Sequence, residues 1–190
     1  MTHNVYVISA GRYDKLPFNE TQKSNYIFCV KNGEGELYKE NGCLNVYETG
    51  NLMDSRNFAL DHAFKVKKIC VQLSDDIKKV TVNKNFGEPK KVDLDFAIED
   101  IVSRFNGVKG VKLLGVPPTD NFFFANKLVS VNTFCIGDML FVKPNDLRFD
   151  EHLTLKEDYD YTLQHLETYS IALRYHKYLF SLPLIEDDNN

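Results

Sequence analysis

The chain lacks the long apolar runs that membrane-spanning helices require. Its hydrophobic content is 43%, yet no stretch approaches the ~20 consecutive apolar residues that cross a bilayer. Residues 1–4 carry neither a basic segment nor a small-residue cleavage site ahead of the first apolar run, so we expect no signal peptide. These absences predict a cytoplasmic protein that has no membrane partner.

Cysteine is scarce, and no two cysteines are close in sequence. None of the four forms the Cys-x-x-Cys spacing of zinc and redox sites, and each lies in an apolar stretch. We therefore predict buried free thiols in a reducing compartment and no zinc centre. The cysteines are Cys29, Cys43, Cys70 and Cys135.

Glycine is sparse where a phosphate-binding loop needs it. Only Gly11 follows the first apolar run, whereas Gly-rich phosphate loops carry several glycines after their strand. This shortage disfavours a nucleotidyltransferase. The 190 residues contain no internal repeat and no low-complexity linker, so we predict one domain over residues 1–182 and an acidic disordered tail over 183–190.

Positive charge is concentrated in one segment. The formal net charge of −4 argues against nucleic-acid binding over the whole surface. Residues 65–91 are rich in lysine, whereas residues 146–190 are mainly acidic. The lysine-rich segment is either solvated surface or a positive rim that attracts a polyanion to a nearby site. Its lysines are Lys65, Lys67, Lys68, Lys78, Lys79, Lys84, Lys90 and Lys91.

Short apolar runs alternate with a helical pattern over the first 75 residues. This alternation is typical of parallel βαβ units, so we predict an α/β fold with a mixed, mainly parallel sheet flanked by helices. Strands are predicted at 5–11, 26–30, 44–47 and 69–73, with a helix at 52–65. Further along, we predict strands at 78–85, within 128–143 and at 171–179. Two more helices are predicted: one is opened by Pro89 and Asp93, and the other runs from the Thr154–Glu157 capping box to Tyr169.

Two adjacent carboxylates, Asp75 and Asp76, follow the buried run Ile69–Leu73. In open α/β sheets, ligands bind beyond the carboxyl ends of the strands. Adjacent negative charges repel each other, and a cation relieves that repulsion. Because Mg²⁺ and Mn²⁺ prefer oxygen ligands and bridge carboxylates to phosphates, we predict a metal-dependent site for a diphosphate-bearing substrate. The alternative is a solvated Ser-Asp-Asp turn.

Four other groups of residues carry chemistry that fits such a site. The turn at Gly11 and Arg12 offers a backbone donor and a cation. A predicted helix begins near Arg56 and Asn57, a second helix begins with several carboxylates, and one histidine lies in a late aromatic strand. The carboxylates, Glu157, Asp158 and Asp160, either complement the helix dipole or act on an acceptor hydroxyl. The histidine, His176, is either structural or a third metal ligand.

The order of these residues resembles a known family. The run Asp54–Ala63, followed by a strand and Asp75–Asp76, is similar to the front half of nucleotide-sugar glycosyltransferases of the Rossmann-type GT-A fold, where an Ala-Arg-Asn helix precedes an Asp-x-Asp metal motif. The stretch Phe149–Gln164 resembles one branch more closely. That branch comprises the phage glycosyltransferases associated with TET and base-J oxygenases, which glycosylate hydroxymethylated pyrimidines in DNA.

The resemblance implies a role for each candidate residue. Metal binding, by Mn²⁺ or Mg²⁺, is implied for Asp76 and His176. Donor binding, with a UDP-sugar as first candidate, is implied for Gly11, Arg12, Arg56, Asn57, Ser74 and Asp75. Asp158 becomes the catalytic base of an inverting transfer, and Glu157 and Asp160 lie on the acceptor side. DNA that carries hydroxymethylated bases becomes the acceptor, in the cytoplasm of an infected host.

Two other functions remain open. The chain is alternatively a binding module that holds nucleotide-sugar or DNA without chemistry. It is alternatively a nucleotidyltransferase, which shares the βαβ order, the acidic pair and the metal. Turnover of a nucleotide-sugar distinguishes the glycosyltransferase from both alternatives.

Overall fold

A computed structural model describes residues 1–83, 89–117, 119, 121 and 127–182. Lys84 and the predicted tail at 183–190 lie outside these residues. The strands are β1 (His3–Ser9), β2 (Ile27–Val30), β3 (Asn45–Glu48), β4 (Ile69–Ser74), β5 (Lys79–Asn83), β6 (Pro89–Val92), β7 (Leu113–Gly115), β8 (Val129–Val131), β9 (Met139–Val142), β10 (Leu173–Tyr175) and β11 (Tyr178–Ser181). The helices are α1 (Glu20–Asn25), α2 (Gly35–Glu40), α3 (Leu52–Lys65), α4 (Leu94–Gly107) and α5 (Glu157–Tyr169).

The larger sheet has the strand order β3-β2-β1-β4-β9-β7-β10-β8. Strands β1 to β4 are mutually parallel, and β7 is parallel to β10. Strand β9 runs antiparallel between β4 and β7, and β8 closes one edge in antiparallel pairing with β10. The predicted α/β fold, with its mixed, mainly parallel sheet, is confirmed.

Both faces of the central strands are buried, because helices cover each side. Val5 and Val7 of β1 pack into a core that includes α4. Tyr6, which points to the other face, packs into a second core with α3 and α5. Strands buried on both faces have continuous apolar sequences, which explains the run at Ile69–Leu73.

A second, smaller sheet has the order β11-β5-β6 and is antiparallel throughout. Strands β5 and β6 pair with each other, so the strand predicted at 78–85 is one arm of a β5–β6 pair. The predicted strand at 171–179 is wrong as a single element. It is divided into β10 and β11, which belong to different sheets.

Two predicted helix starts also differ from the structure. Helix α4 begins at Leu94 with Asp93 as its N-cap, and Pro89 belongs to β6 instead. The capping box at Thr154–Glu157 is wrong, because the residue before α5 is Lys156 in a left-handed conformation without a side-chain cap.

The prediction that the four cysteines are buried free thiols is confirmed. Burial raises the pKa of Cys29 to about 12, which keeps this thiol protonated and unreactive near neutral pH. Among the described residues, no helix has the length and apolar character needed to cross a bilayer.

Candidate functional site

A cleft of about 630 Å³ opens at the carboxyl ends of the parallel strands. Its walls are the turn after β1, the turn after β2 and the first turn of α3. Ligands of open α/β sheets bind at this edge. The lining residues that bear polar side chains are Ser9, Arg12, Lys31, Asn32, Asn51, Asp54, Ser55 and Asp75.

Asp75 lies at the back of this cleft and is only 8% exposed. Ser9 Oγ donates to its Oδ2 at 2.5 Å, and Arg12 Nε lies 3.7 Å from its Oδ1. Burial raises the pKa of Asp75 above its ordinary value, although the bond from Ser9 and the charge of Arg12 oppose that shift. Asp75 therefore faces the cleft and is held by residues of the β1 turn.

Tyr38 of α2 supports the β1 turn from behind. Its hydroxyl lies 2.5 Å from Ser9 Oγ and accepts the backbone N–H of Arg12 at 3.3 Å. Ser9 thus bridges Tyr38 and Asp75. Gly11 adopts a left-handed conformation, and its N–H donates to the Glu34 carboxylate at 2.8 Å. The backbone donor predicted for a ligand is therefore engaged by Glu34 in this structure.

Asp76 acts electrostatically on a second acidic residue, Asp138. Ser74 Oγ donates to Asp76 Oδ1 at 2.6 Å, and the Ser74 N–H donates to the Asp138 carbonyl at 2.8 Å. Burial, together with the negative charge of Asp76, raises the pKa of Asp138 to about 6, although Arg56 opposes this shift. Asp138 was missed by the sequence analysis. Its only signal was an isolated acidic residue directly before the apolar run Met139–Val142.

Antiparallel pairing explains why these two carboxylates meet. Leu73 of β4 pairs with Met139 of β9, so β9 begins beside the residue at which β4 ends. Asp138, which directly precedes β9, therefore lies beside Ser74, two residues before Asp76. Mg²⁺ is commonly held by one or two carboxylates plus substrate phosphates, so Asp76 and Asp138 together fit such an ion.

Asp158, at the start of α5, completes this acidic edge. Its Oδ2 accepts the Gly137 N–H at 2.9 Å, and its Oδ1 accepts the Tyr159 N–H at 2.9 Å. An ionised carboxylate has about four acceptor positions, so each oxygen retains one. The charge of Asp158 also contributes to the raised pKa of Asp138, which places the two groups near each other.

Arg56 lies buried beneath these acids and does not line the cleft. Its Nη2 is 3.2 Å from Glu157 Oε1, and its Nη1 donates to the Gly137 carbonyl and to Gln72 Oε1, each at 3.1 Å. A Cβ at Gly137 would collide with the guanidinium. The Glu157 carboxylate is therefore engaged internally and does not face an acceptor, contrary to the prediction.

Asn57 and Asp160 also have partners within the protein. The Asn57 amide donates to the Phe149 carbonyl and accepts the Phe149 N–H, both at 2.9 Å. Asp160 Oδ2 accepts from Gln164 Nε2 at 2.7 Å. The predicted donor contact of Asn57 is thus replaced by a link between α3 and the segment that precedes α5.

His176 is not brought to the aspartates. The register aligns Gln72, Leu140, Gly115 and Arg174 across four adjacent strands, so the end of β10 lies three strands from the end of β4, about 14 Å away. His176 Nε2 instead lies 2.8 Å from Ser130 Oγ. The structure therefore does not support His176 as a ligand of an ion held by Asp76.

Over the described ranges, no three His, Cys, Asp or Glu side chains are arranged to hold a metal ion by themselves. A metal at Asp76 and Asp138 therefore requires oxygen ligands from a substrate or from water, as is usual for Mg²⁺.

The lysine-rich segment does not form a single rim. Lys65, Lys67 and Lys68 precede β4, so about 20 Å of strand separates them from Asp75. Lys68 Nζ donates to Asn4 Oδ1 at 2.9 Å, at that opposite edge. Lys79 and Lys90 belong to the small sheet. Of the two alternatives for this segment, a positive rim beside the aspartates therefore does not include the lysines at 65–68.

Comparison with known proteins reveals a similar fold among solved structures but does not assign the chain to a protein family. No protein family and no curated protein matches the sequence. Among solved structures, A197 from STIV matches with a TM-score of 0.50 at 13% identity, over 96% of this chain and 82% of that chain. A cytidylyltransferase from Leptospira borgpetersenii serovar Hardjo-bovis matches with a TM-score of 0.46 at 14% identity, over 99% and 78% of the two chains. The chain thus shares its overall fold with A197.

Proposed function

We propose that the protein is a metal-dependent glycosyltransferase that moves a sugar from a nucleotide-sugar to an acceptor hydroxyl. The observation that carries this proposal is that Asp138 lies beside the end of β4, where the charges of Asp76 and Asp158 both act on it, at the edge of the sheet that also bears the cleft. Such an edge is where α/β sheets bind nucleotides. The resemblance of the Asp54–Asp76 region to GT-A glycosyltransferases supports the same activity.

The cleft supplies the groups that a nucleotide requires. Arg12 and Lys31 are cations that can pair with phosphate oxygens. Asn32 offers an amide that both donates and accepts, and Asp75 offers carboxylate oxygens to ribose hydroxyls. The volume of about 630 Å³ lies within the ordinary range of small-molecule sites.

Asp76 and Asp138 would hold Mg²⁺ or Mn²⁺ on the donor diphosphate. When bound, such an ion supplies Lewis-acid neutralisation of the charge that develops on the leaving group. Arg56 lies behind Asp138 and opposes the rise in its pKa, so it favours the ionised carboxylate that a metal requires.

Asp158 is the proposed general base. It takes the proton of the acceptor hydroxyl while the oxygen bonds to the anomeric carbon, and the nucleoside diphosphate leaves with the electron pair of the broken bond. A single displacement of this kind inverts the configuration. The exposed rings of Phe134 and Tyr159 lie 4.5 Å apart beside Asp158, and they provide a surface on which an acceptor ring can stack. A hydroxymethylated pyrimidine in DNA is the acceptor implied by the resemblance.

A screen of nucleotide-sugars tests this function. Thermal stability is measured with UDP-, GDP-, CDP- and dTDP-sugars, with and without Mn²⁺, because a ligand that binds only the native state raises Tm. The expected result is metal-dependent stabilisation by one donor, followed by its slow hydrolysis or by transfer to hydroxymethylated DNA. Stabilisation without turnover would indicate the binding module. Stabilisation by CTP or UTP with release of pyrophosphate would indicate a nucleotidyltransferase.

A further inference from the structure

A second cleft, of about 570 Å³, lies between α4 and the small sheet. None of its lining residues lines the cleft that contains Asp75. We name it the β5–β11 cleft. Its lining residues are Val82, Lys90, Val92, Phe96, Arg104, Leu128, Tyr175, Lys177 and Tyr178.

Three cations border the β5–β11 cleft. Lys90 pairs with Val82, and Val82 pairs with Tyr178, so these three side chains form one cross-strand row on the same face. Lys177 precedes Tyr178, and Arg104 approaches from α4. The exposed Lys90 has no acidic partner in any ion pair among the described residues.

Asp100 holds the other two cations in place. Its carboxylate accepts from Lys177 Nζ at 2.7 Å, from Arg104 Nε at 3.0 Å and from Tyr178 OH at 3.0 Å. Burial disfavours the charged form of this carboxyl, but the hydrogen bonds from these donors outweigh it and lower the pKa of Asp100. Arg104 and Lys177 therefore share a single carboxylate, while Lys90 has no acidic partner among the described residues, so the β5–β11 cleft is net positive.

Helix α4 turns an aromatic ring toward the same cleft. Phe96, Asp100 and Arg104 are spaced four residues apart and share one helix face. Phe96 is 60% exposed, so its ring is accessible to a ligand in this cleft. The acidic residues of α4 on other faces have other contacts: Asp95 bonds to Tyr26, and Glu99 lies near His3.

We propose that the β5–β11 cleft binds single-stranded nucleic acid. Proteins that bind such strands combine a positive groove, which follows the phosphates, with exposed aromatic side chains on which bases stack. Lys90, Arg104 and Lys177 supply the positive groove, and Phe96 supplies the stacking ring. An acidic peptide would satisfy the cations but would not use the exposed ring, and a duplex presents no free base face to it.

This inference goes beyond the proposed function, because the strand binds without a donor sugar, a metal or turnover. Binding of the strand is therefore measured separately from glycosyltransferase activity. A protein that binds the strand but no nucleotide-sugar would support the cleft assignment alone.

Fluorescence anisotropy with labelled oligothymidylate of about 12 nucleotides tests the proposal. Phe96→Ala is expected to weaken binding about tenfold, because the variant loses the aromatic side chain on which a base stacks. Lys90→Gln is expected to reduce the slope of log K against log salt by about 0.7, the loss of one phosphate contact on a single strand. Both side chains are exposed, so both variants are expected to fold.

Matched controls lie elsewhere on the surface. Tyr47→Ala removes an aromatic side chain that is 41% exposed on the edge strand β3, and Lys39→Gln removes an exposed lysine of α2. Both are expected to bind like the parent. The proposal is overturned if the parent does not bind the strand at low salt, if the controls weaken binding as much as Phe96→Ala, or if duplex DNA binds equally well and Phe96→Ala has no effect.

Discussion

Arg56 of α3 and Glu157 of α5 form an ion pair in the protein interior, with Nη2 3.2 Å from Oε1. Both side chains are nearly inaccessible to solvent. The pair joins the helix that borders the donor cleft to the helix that carries Asp158, so it determines how the two halves of the proposed site are positioned relative to each other.

Breaking this pair from one side is expected to be costly. Glu157→Ala leaves the guanidinium buried without its counter-charge, which typically destabilises a protein by about 3–5 kcal/mol. The free energy of unfolding, measured in urea, is expected to fall by that amount. The double variant Arg56→Met, Glu157→Leu removes both charges and is expected to lose less than Glu157→Ala alone. Equal stability of Glu157→Ala and the parent would contradict a buried pair.

Asp138→Asn is expected to reduce metal-dependent donor binding. The substitution removes one of the two carboxylates proposed to bind the ion and keeps the size of the side chain. The rise in Tm caused by donor plus Mn²⁺ should therefore be about half of the parent's rise, or less. Asp76→Asn is expected to behave in the same way. The control is the exposed Asp61→Asn, on α3, whose carboxylate pairs with Arg148 among the residues that the structure describes. An undiminished rise in Asp138→Asn would exclude this residue from the metal site.

Ser9→Ala is expected to weaken nucleotide binding about tenfold. The serine hydroxyl donates to the buried Asp75 carboxylate, and hydrogen bonds to charged groups contribute roughly 1.5–3 kcal/mol. Without this bond Asp75 is less firmly held at the back of the cleft. Isothermal titration with the donor found in the screen provides the measurement. Tyr38→Phe removes the second partner of Ser9 and the acceptor of the Arg12 N–H but leaves the bond from Ser9 to Asp75 in place. Its effect should therefore be smaller than that of Ser9→Ala, and the reverse order would contradict this arrangement.

The contribution of His165 to stability is expected to fall as the pH drops through the range from about 6.5 to about 4. His165 is buried, and burial lowers its pKa to about 4. Its Nδ1 bonds to the Tyr161 carbonyl at 2.9 Å. In this window the imidazole of His165 binds a proton in the unfolded chain but not in the folded protein, so its contribution to stability rises with pH and is fully present above about 6.5, with a total of up to about 3 kcal/mol.

His165→Phe removes this titrating group and should flatten the pH dependence of urea unfolding between pH values of about 4 and 6.5. His152→Gln, at an exposed histidine, serves as the control and should retain the slope of the parent. A His165→Phe variant with the parent slope would show that other groups account for the acid sensitivity.

The helix at 52–65 could be predicted to the residue. Asn51 caps it through a bond to the Asp54 N–H, and the apolar positions recur at helical spacing, so the information lies within a few turns of chain. Strand β4 and the position of Asp75–Asp76 at its end were predicted for the same reason. The capping box at Thr154–Glu157 shows the limit of such patterns, because tertiary structure assigns Glu157 to Arg56 instead.

The partners of the site residues could not be read from local patterns. Asp138 meets Asp76 only because β9 pairs antiparallel with β4, and His176 is excluded only because β9, β7 and β10 follow β4 in that order. Strand order and register depend on contacts between residues that are distant in the chain, for which a single sequence carries no direct signal.

The sequence by itself determined the α/β class, the buried thiols and the acidic pair at the end of β4, because hydrophobic periodicity and turn residues act locally. Only the tertiary structure decided which charges face the cleft and which are neutralised inside, as Arg56 and Glu157 are. That choice follows from packing: a buried charge requires a partner, and the fold alone determines which partner is within reach.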